Sequence, residues 1–163
     1  MSKTTDIFGR LIEDHDRHRQ MLRKLAKTHG DTPERRELFE QFTLEAKSHA
    51  AAEEQALYST MMRKPKTTDE TRHSVSEHHE IEEMLNDLAA TEMSSSAWLS
   101  KFKHLRHDFL HHIDEEEDEV FPMFEKYLDE SDLAHMKAVF ERRKRAEKAD
   151  AKVTPEKMED AKE

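Results

Sequence analysis

Two copies of the spacing His-x-x-x-Glu, His49 with Glu53 and His112 with Glu116, stand out in a chain that carries twelve histidines. Four residues is about one helical turn, so on a helix each pair projects an imidazole and a carboxylate from the same face. Those are donors that first-row metal ions take, and because the chain has no cysteine any metal must be held by nitrogen and oxygen. His15 and His78 add two more imidazoles. An offset of 63 residues carries His15 onto His78, His49 onto His112 and Glu53 onto Glu116 without a gap. Apolar positions obey the same offset, Leu22 onto Leu85, Leu25 onto Leu88, Phe39 onto Phe102, Phe42 onto Leu105 and Tyr58 onto Phe121.

The elements that must position these groups read as helices. Thr4 and Thr5 can cap a first helix running to Gly30, and Thr32-Pro33-Glu34 opens a second reaching about Arg63, ended by Pro65. Thr67 with Glu70 forms a capping box for a third helix to about Thr91, and the serines at 94 to 96 start a fourth, which Pro122 should kink or restart. A shorter amphipathic fifth helix is expected from Ser131. The predicted architecture is all-α: an antiparallel up-down-up-down four-helix bundle of two repeated αα-hairpins over residues 1–128, a C-terminal amphipathic helix over 129–150 and a flexible tail over 151–163.

Each of the four main helices has one apolar stripe, and each stripe is broken at mid-helix by a polar group: His15 and His18, His49 and Glu53, His78, and His112 and Glu116. About a turn near residue 31, His15 lies 16 residues before and His49 lies 18 after, so at a rise of ~1.5 Å per residue they share a height. His78 and His112 do the same about a turn near 94, which brings six donors into one layer. A carboxylate on a core stripe costs several kcal/mol unless paired or bound to a cation, and two facing carboxylates also repel. A pair of cations removes both penalties. Six donors with only two negative charges suit two octahedral-leaning ions better than one zinc, and leave a di-iron pair able to accept an oxo or hydroxo bridge.

Composition bounds the rest. Apolar residues make up 34% and charged residues 39% of 163, with two glycines and four prolines, a balance that suits exposed amphipathic helices. No apolar run approaches a membrane span, the N-terminal residues lack the apolar region of a signal peptide, and cysteine is absent, so a cytoplasmic protein is expected. A net charge of −10 argues against nucleic acid and anionic membrane as partners, and the basic run at 142–145 is assigned none beyond the dipole of its own helix.

The pattern His15, His49-Ala-Ala-Ala-Glu53, His78, His112-Ile-Asp-Glu-Glu116, with flanks EEQALY and EEDEVFP, closely resembles the hemerythrin-like HHE cation-binding domains of bacteria over about residues 5 to 128. The resemblance implies a non-haem di-iron centre with His15, His49, His78 and His112 as ligands and Glu53 and Glu116 as bridges. Oxygen-carrying hemerythrins have a fifth histidine on the third helix, whereas Ser74 and Glu82 flank His78 at four residues here. The chain is therefore more similar to the four-histidine, two-glutamate group. What this implies is a di-iron protein that binds or senses a small ligand, O2, NO or peroxide. The alternatives are a di-iron redox enzyme, decomposing peroxide or repairing iron–sulfur centres, and an iron-responsive interaction module.

Two residues stay open. His18, one turn from His15, can be a fifth ligand, a proton donor to bound peroxide or a buried hydrogen-bonded histidine, the non-ligand reading favoured because its repeat partner is Ile81. Glu117 stands five residues after His112, the step oxygen carriers use, and Glu54 repeats it. His111, Asp114, Glu115 and Asp118 are expected on the solvated face.

Overall fold

The computed structural model describes residues 5–151. Its helices are α1 (Ile7–Ala26), α2 (Pro33–Glu53), α3 (Thr68–Ala89), α4 (Ser96–Glu115) and α5 (Glu130–Asp150), with no strand among the described residues. Both α2 and α4 continue through a π-helical turn, Glu54–Tyr58 and Glu116–Val120, into a short last segment, Ser59–Met61 and Phe121–Glu125. Short loops make α1 and α2 one antiparallel hairpin and α3 and α4 the other. The hairpins meet along α1 with α4 and α2 with α3, and α5 lies outside against α1 and α2.

Apolar residues at spacings of three and four build two core clusters. One holds Ile7, Leu11, Leu57, Met61, Phe124 and Phe140; the other holds Leu22, Phe42, Leu85, Trp98, Phe102 and Leu105. Burying each such side chain contributes about 1.5–3 kcal/mol. Along every helix of the bundle the histidines fall between the two clusters, so the polar layer is sandwiched by packed hydrocarbon. No helix among the described residues is long and apolar enough to cross a membrane.

Local structure departs from expectation at several ends. The cap of α1 is Asp6, whose carboxylate accepts from the Gly9 N–H at 2.9 Å, so Thr5 does not cap it; Thr4 lies outside the described residues. The helix stops at Ala26 and not at Gly30, because the buried Arg35 guanidinium takes the Thr28 carbonyl at 2.7 Å and its hydroxyl at 2.9 Å. Arg35 also donates to the Met93 carbonyl at 3.0 Å and covers the Trp98 ring at 4.3 Å, tying the two hairpin turns together. Gly30 then reverses the chain at φ +60°, a left-handed conformation that glycine adopts without a Cβ penalty.

Thr32 and Ser95 cap α2 and α4 as the sequence suggests. Thr67 precedes α3 but forms no capping box: its buried hydroxyl turns back to donate to the Met61 carbonyl at 2.6 Å, and no first-turn N–H donates to it. At Pro122 the helix restarts as expected, the proline sitting in the first turn of the segment after the π turn, where a missing N–H costs little. The fifth helix is not short. It runs 21 residues from a reciprocal cap between Asp129 and Asp132. The tail expected over 151–163 lies outside the described residues beyond Ala151.

Candidate metal centre

Mid-helix positions on α1 to α4 bring His15, His49, Glu53, His78, His112 and Glu116 into one buried layer. Each glutamate stands between two imidazoles. Glu53 Oε1 lies 3.0 Å from His78 Nε2 and 3.7 Å from His49 Nε2, and Glu116 Oε1 lies 3.1 Å from His112 Nε2 and 3.5 Å from His15 Nε2. An offset of 63 takes Glu53 to Glu116 and His49 to His112 and exchanges His78 with His15, so the offset in the sequence is a two-fold in space. The donor atoms fall into two groups, Glu53 with His78, His112 and Glu116, and Glu53 with His15 and His49, the atoms of each within 4.8 Å of one another. Glu53 belongs to both, which is the placement a shared carboxylate needs.

The outward nitrogens are all engaged. His15 Nδ1 donates to Glu117 at 2.8 Å, His49 Nδ1 to Asp14 at 2.8 Å, His78 Nδ1 to Glu54 at 2.9 Å and His112 Nδ1 to Glu77 at 2.8 Å. An ionised carboxylate only accepts, so each Nδ1 carries a proton and the lone pair of the neutral ring sits on Nε2, facing inward. Inside, His15 Nε2, His49 Nε2, His112 Nε2, both Glu53 oxygens and Glu116 Oε1 are buried without a hydrogen-bond partner. Buried polar atoms are nearly always paired, so this many orphans around one volume fits a cation that accepts their lone pairs.

The electrostatics show what the layer suffers without that charge. Burial and the neighbouring Glu116 push the Glu53 carboxyl far above the usual carboxylate range. Burial also opposes ionisation of Glu116, but His112 and His15 overcome it and hold that group far below the usual range. The imidazoles of His15 and His112 resist burial through their carboxylates, Glu116 with Glu117 and Glu116 with Glu77, and are raised to about 9. His49 has no such surplus of negative charge, and burial lowers it to about 3.

The outer carboxylates resolve Glu117: it grips His15 Nδ1 and also receives Arg19 at 2.8 Å, whereas Glu116 is the residue that faces inward. Glu54 enters the sequence reading only as the repeat of Glu117, and Asp14 and Glu77 do not enter it, although the offset maps Asp14 onto Glu77 and so contained the signal. Consecutive glutamates therefore flank one ring across the seam between hairpins. Glu53 and Glu54 take the two nitrogens of His78, and Glu116 and Glu117 those of His15.

His18 is fully buried, yet stands outside both donor groups, with its ring edge-on to His49 at 5.2 Å and Phe109 at 5.5 Å. Its nearest charge is Glu45 at 3.9 Å, and burial holds its pKa below the usual histidine value. It is packed into the core, as its repeat partner Ile81 suggested, but neither ring nitrogen has a hydrogen-bond partner, unlike the hydrogen-bonded core histidine expected. Phe121 stacks on His15 with centroids 5.9 Å apart, and the Tyr58 hydroxyl, buried one turn past Glu53, donates to Glu116 Oε2.

The basic run has a partner after all. Lys144 on α5 is only 4% exposed, and its Nζ lies 2.7 Å from Asp14 Oδ2 and 3.1 Å from Glu45 Oε2. Phe140, one turn earlier, sets its ring edge against His49 at 5.6 Å. Helix α5 is thus part of the support of His49, a role the sequence hides because lysine so rarely lies buried.

Comparison with known proteins bears on the fold and the family. The chain is 28% identical over 149 residues to an uncharacterised hemerythrin-like protein of Schizosaccharomyces pombe, covering 88% of this chain and 71% of that one. The crystal structure of a hemerythrin HHE cation binding domain-containing protein from Mycobacterium kansasii superposes with a TM-score of 0.80 at 20% identity, over 90% of this chain and 89% of that one. The family model of the hemerythrin HHE cation binding domain matches residues 6–124, and the chain belongs to that family.

Proposed function

We propose that the chain holds two iron ions, with His15, His49, His78 and His112 as terminal ligands and Glu53 and Glu116 shared between them. At a coordination position that four imidazoles leave free, it binds or senses a small ligand, O2, NO or peroxide. The observation that carries this reading is the set of buried, unpartnered Nε2 and Oε atoms, aimed inward by four Nδ1–carboxylate bonds. Six nitrogen and oxygen donors in two groups sharing a glutamate suit a pair of ions of higher coordination better than a tetrahedral zinc. Bound iron supplies Lewis acidity and one-electron redox capacity.

The chain supplies direction, dryness and access. The Nδ1 bonds fix the rings, and the two apolar clusters exclude water from above and below. A cleft of about 750 Å3 between α2 and α3 leads inward past Ala46, Ala50 and Ala51 to His78, His112 and Glu116. Small residues on α2 leave room for a diatomic molecule or peroxide.

A second reading, a redox enzyme that decomposes peroxide, is favoured by Tyr58, which holds a proton against Glu116 in the dry interior. Metal analysis of protein expressed with ample iron, with its absorption spectrum, tests the centre. Two irons per chain are expected, lost in Glu53→Ala and Glu116→Ala; metal-free protein that is indifferent to both substitutions refutes it. Reversible spectral change on cycling O2 or NO without peroxide consumption supports binding. Sustained O2 evolution from peroxide, slowed in Tyr58→Phe, supports the enzyme.

A further inference from the structure

The two-fold that relates the hairpins fails at one place. Asp14 and Glu77 are equivalents, each accepting from the Nδ1 of a histidine across its own hairpin. Around Asp14 the negative charge is answered by Lys144 at 2.7 Å and Arg10 at 2.6 Å. Lys144 comes from α5, which lies on α1 and α2, so the corresponding face of α3 and α4 receives no such residue. Among the described residues no lysine or arginine forms an ion pair with Glu77; its partners are His112 and His73.

In place of that cover the open face carries a second pair of His-x-x-x-Glu motifs, His73 with Glu77 on α3 and His111 with Glu115 on α4. They converge. His73 Nε2 lies 3.4 Å from Glu77 Oε2 and 3.2 Å from Glu115 Oε1, and His111 Nε2 lies 3.3 Å from the other Glu115 oxygen. Donor atoms of His73, Glu77 and Glu115 all lie within 4.8 Å of one another. The positions 63 residues earlier are Arg10, Asp14, Ser48 and Ala52, so the first hairpin places a permanent cation where the second places an imidazole. Glu115, expected on the solvated face, is in fact half-buried, its side chain 19% exposed beside Glu77 at 20%.

As ion pairs alone these contacts contribute little at such exposure, roughly 0–1 kcal/mol each, and leave two adjacent half-buried carboxylates facing one another. As ligands they are a matched set: imidazole and carboxylate in i, i+4 pairs from two antiparallel helices, with open sides for water. We propose that His73, Glu77 and Glu115, joined by His111, form a surface site for a divalent first-row transition-metal ion, distinct from the buried layer. The ion answers the charge of Glu77 as Lys144 answers that of Asp14. Nitrogen in the donor set selects such ions over magnesium and calcium.

The test is a Co2+ titration of the iron-loaded full-length protein, followed by the visible absorption of bound cobalt and by metal analysis after gel filtration. One Co2+ per chain beyond the buried complement is expected, lost in His73→Ala and in Glu115→Gln with iron content unchanged. His104→Ala, which removes another exposed imidazole of α4, retains it. Glu53→Ala keeps the outer Co2+ while losing buried metal, so failure of the buried centre and failure of this site are told apart. No uptake beyond the buried complement, or equal uptake by His73→Ala and Glu115→Gln, overturns the proposal.

Discussion

Lys144→Met separates a supporting fifth helix from an incidental one. The ammonium lies against Asp14 and Glu45, and Asp14 is fully buried. Removing one partner of a buried ion pair costs about 3–5 kcal/mol, because the remaining charge is left in a poor medium. Here Arg10 stays on Asp14, His49 still donates to it and Lys148 stays on Glu45, which places the loss at the lower end, about 3 kcal/mol. For a domain of this length each kcal/mol moves Tm by about 2–4 °C, so a fall of roughly 6–12 °C is expected in a calorimetric scan. Methionine keeps the stem packing, so the fall reports the charge. Asp14→Asn in the same chain removes the stranded carboxylate, and the double variant should therefore lose less than the two single losses added together, by about 1–3 kcal/mol. A shift under about 2 °C for Lys144→Met, or simple additivity with Asp14→Asn, refutes the coupling of α5 to the support of His49.

The outer carboxylates give a matched pair of predictions: Glu54→Gln and Glu117→Gln each weaken metal retention against a competing chelator by about 10–100-fold, and by similar factors because they are two-fold equivalents. A variant pair differing by more than the range itself argues that the two halves of the layer are not alike. Acid–base behaviour gives another. His15 and His112 titrate at about 9 in the metal-free fold, above the free value near 6.5, so their protonated forms add stability that is complete below pH ~6.5 and lost as pH rises through 9. Urea midpoints of the metal-free protein should fall between pH 7 and 10, and metal loading at pH 7 should release protons, measured by calorimetry in buffers of different ionisation enthalpy. A flat midpoint, or loading without proton release, contradicts the assignment.

The bundle and its polar layer were legible because the same pattern is written twice. An offset without gaps places His15 opposite His78 and Glu53 opposite Glu116, and only a repeated hairpin keeps such a register through two turns. Helix ends were less legible. Asp6 displaced Thr5 as a cap, and the Thr67 hydroxyl turned back to the Met61 carbonyl, choices set by carbonyls and N–H groups that lie near in the folded chain. Of the outer carboxylates, Glu117 and its repeat Glu54 were visible as an open question, but Asp14 and Glu77 were not, because they sit off the apolar stripe where an acid looks like solvated charge. Lys144 was hidden for a different reason: α5 has no repeat partner, and its docking on Asp14 is a contact between residues 130 positions apart.

The clasp of two rings by consecutive glutamates has a mechanical consequence. His78 belongs to one hairpin and its two glutamates to the other, and the reverse holds for His15. Each ring is a peg held on both edges in a socket of the opposite hairpin, and the two pegs face opposite ways. Sliding one hairpin by a residue along the other, a displacement of ~1.5 Å, would pull both pegs at once. The two halves of the chain are thus indexed to each other by the residues that do the chemistry, so whatever alters the grip on those imidazoles is felt along the whole seam, including the cleft beside it.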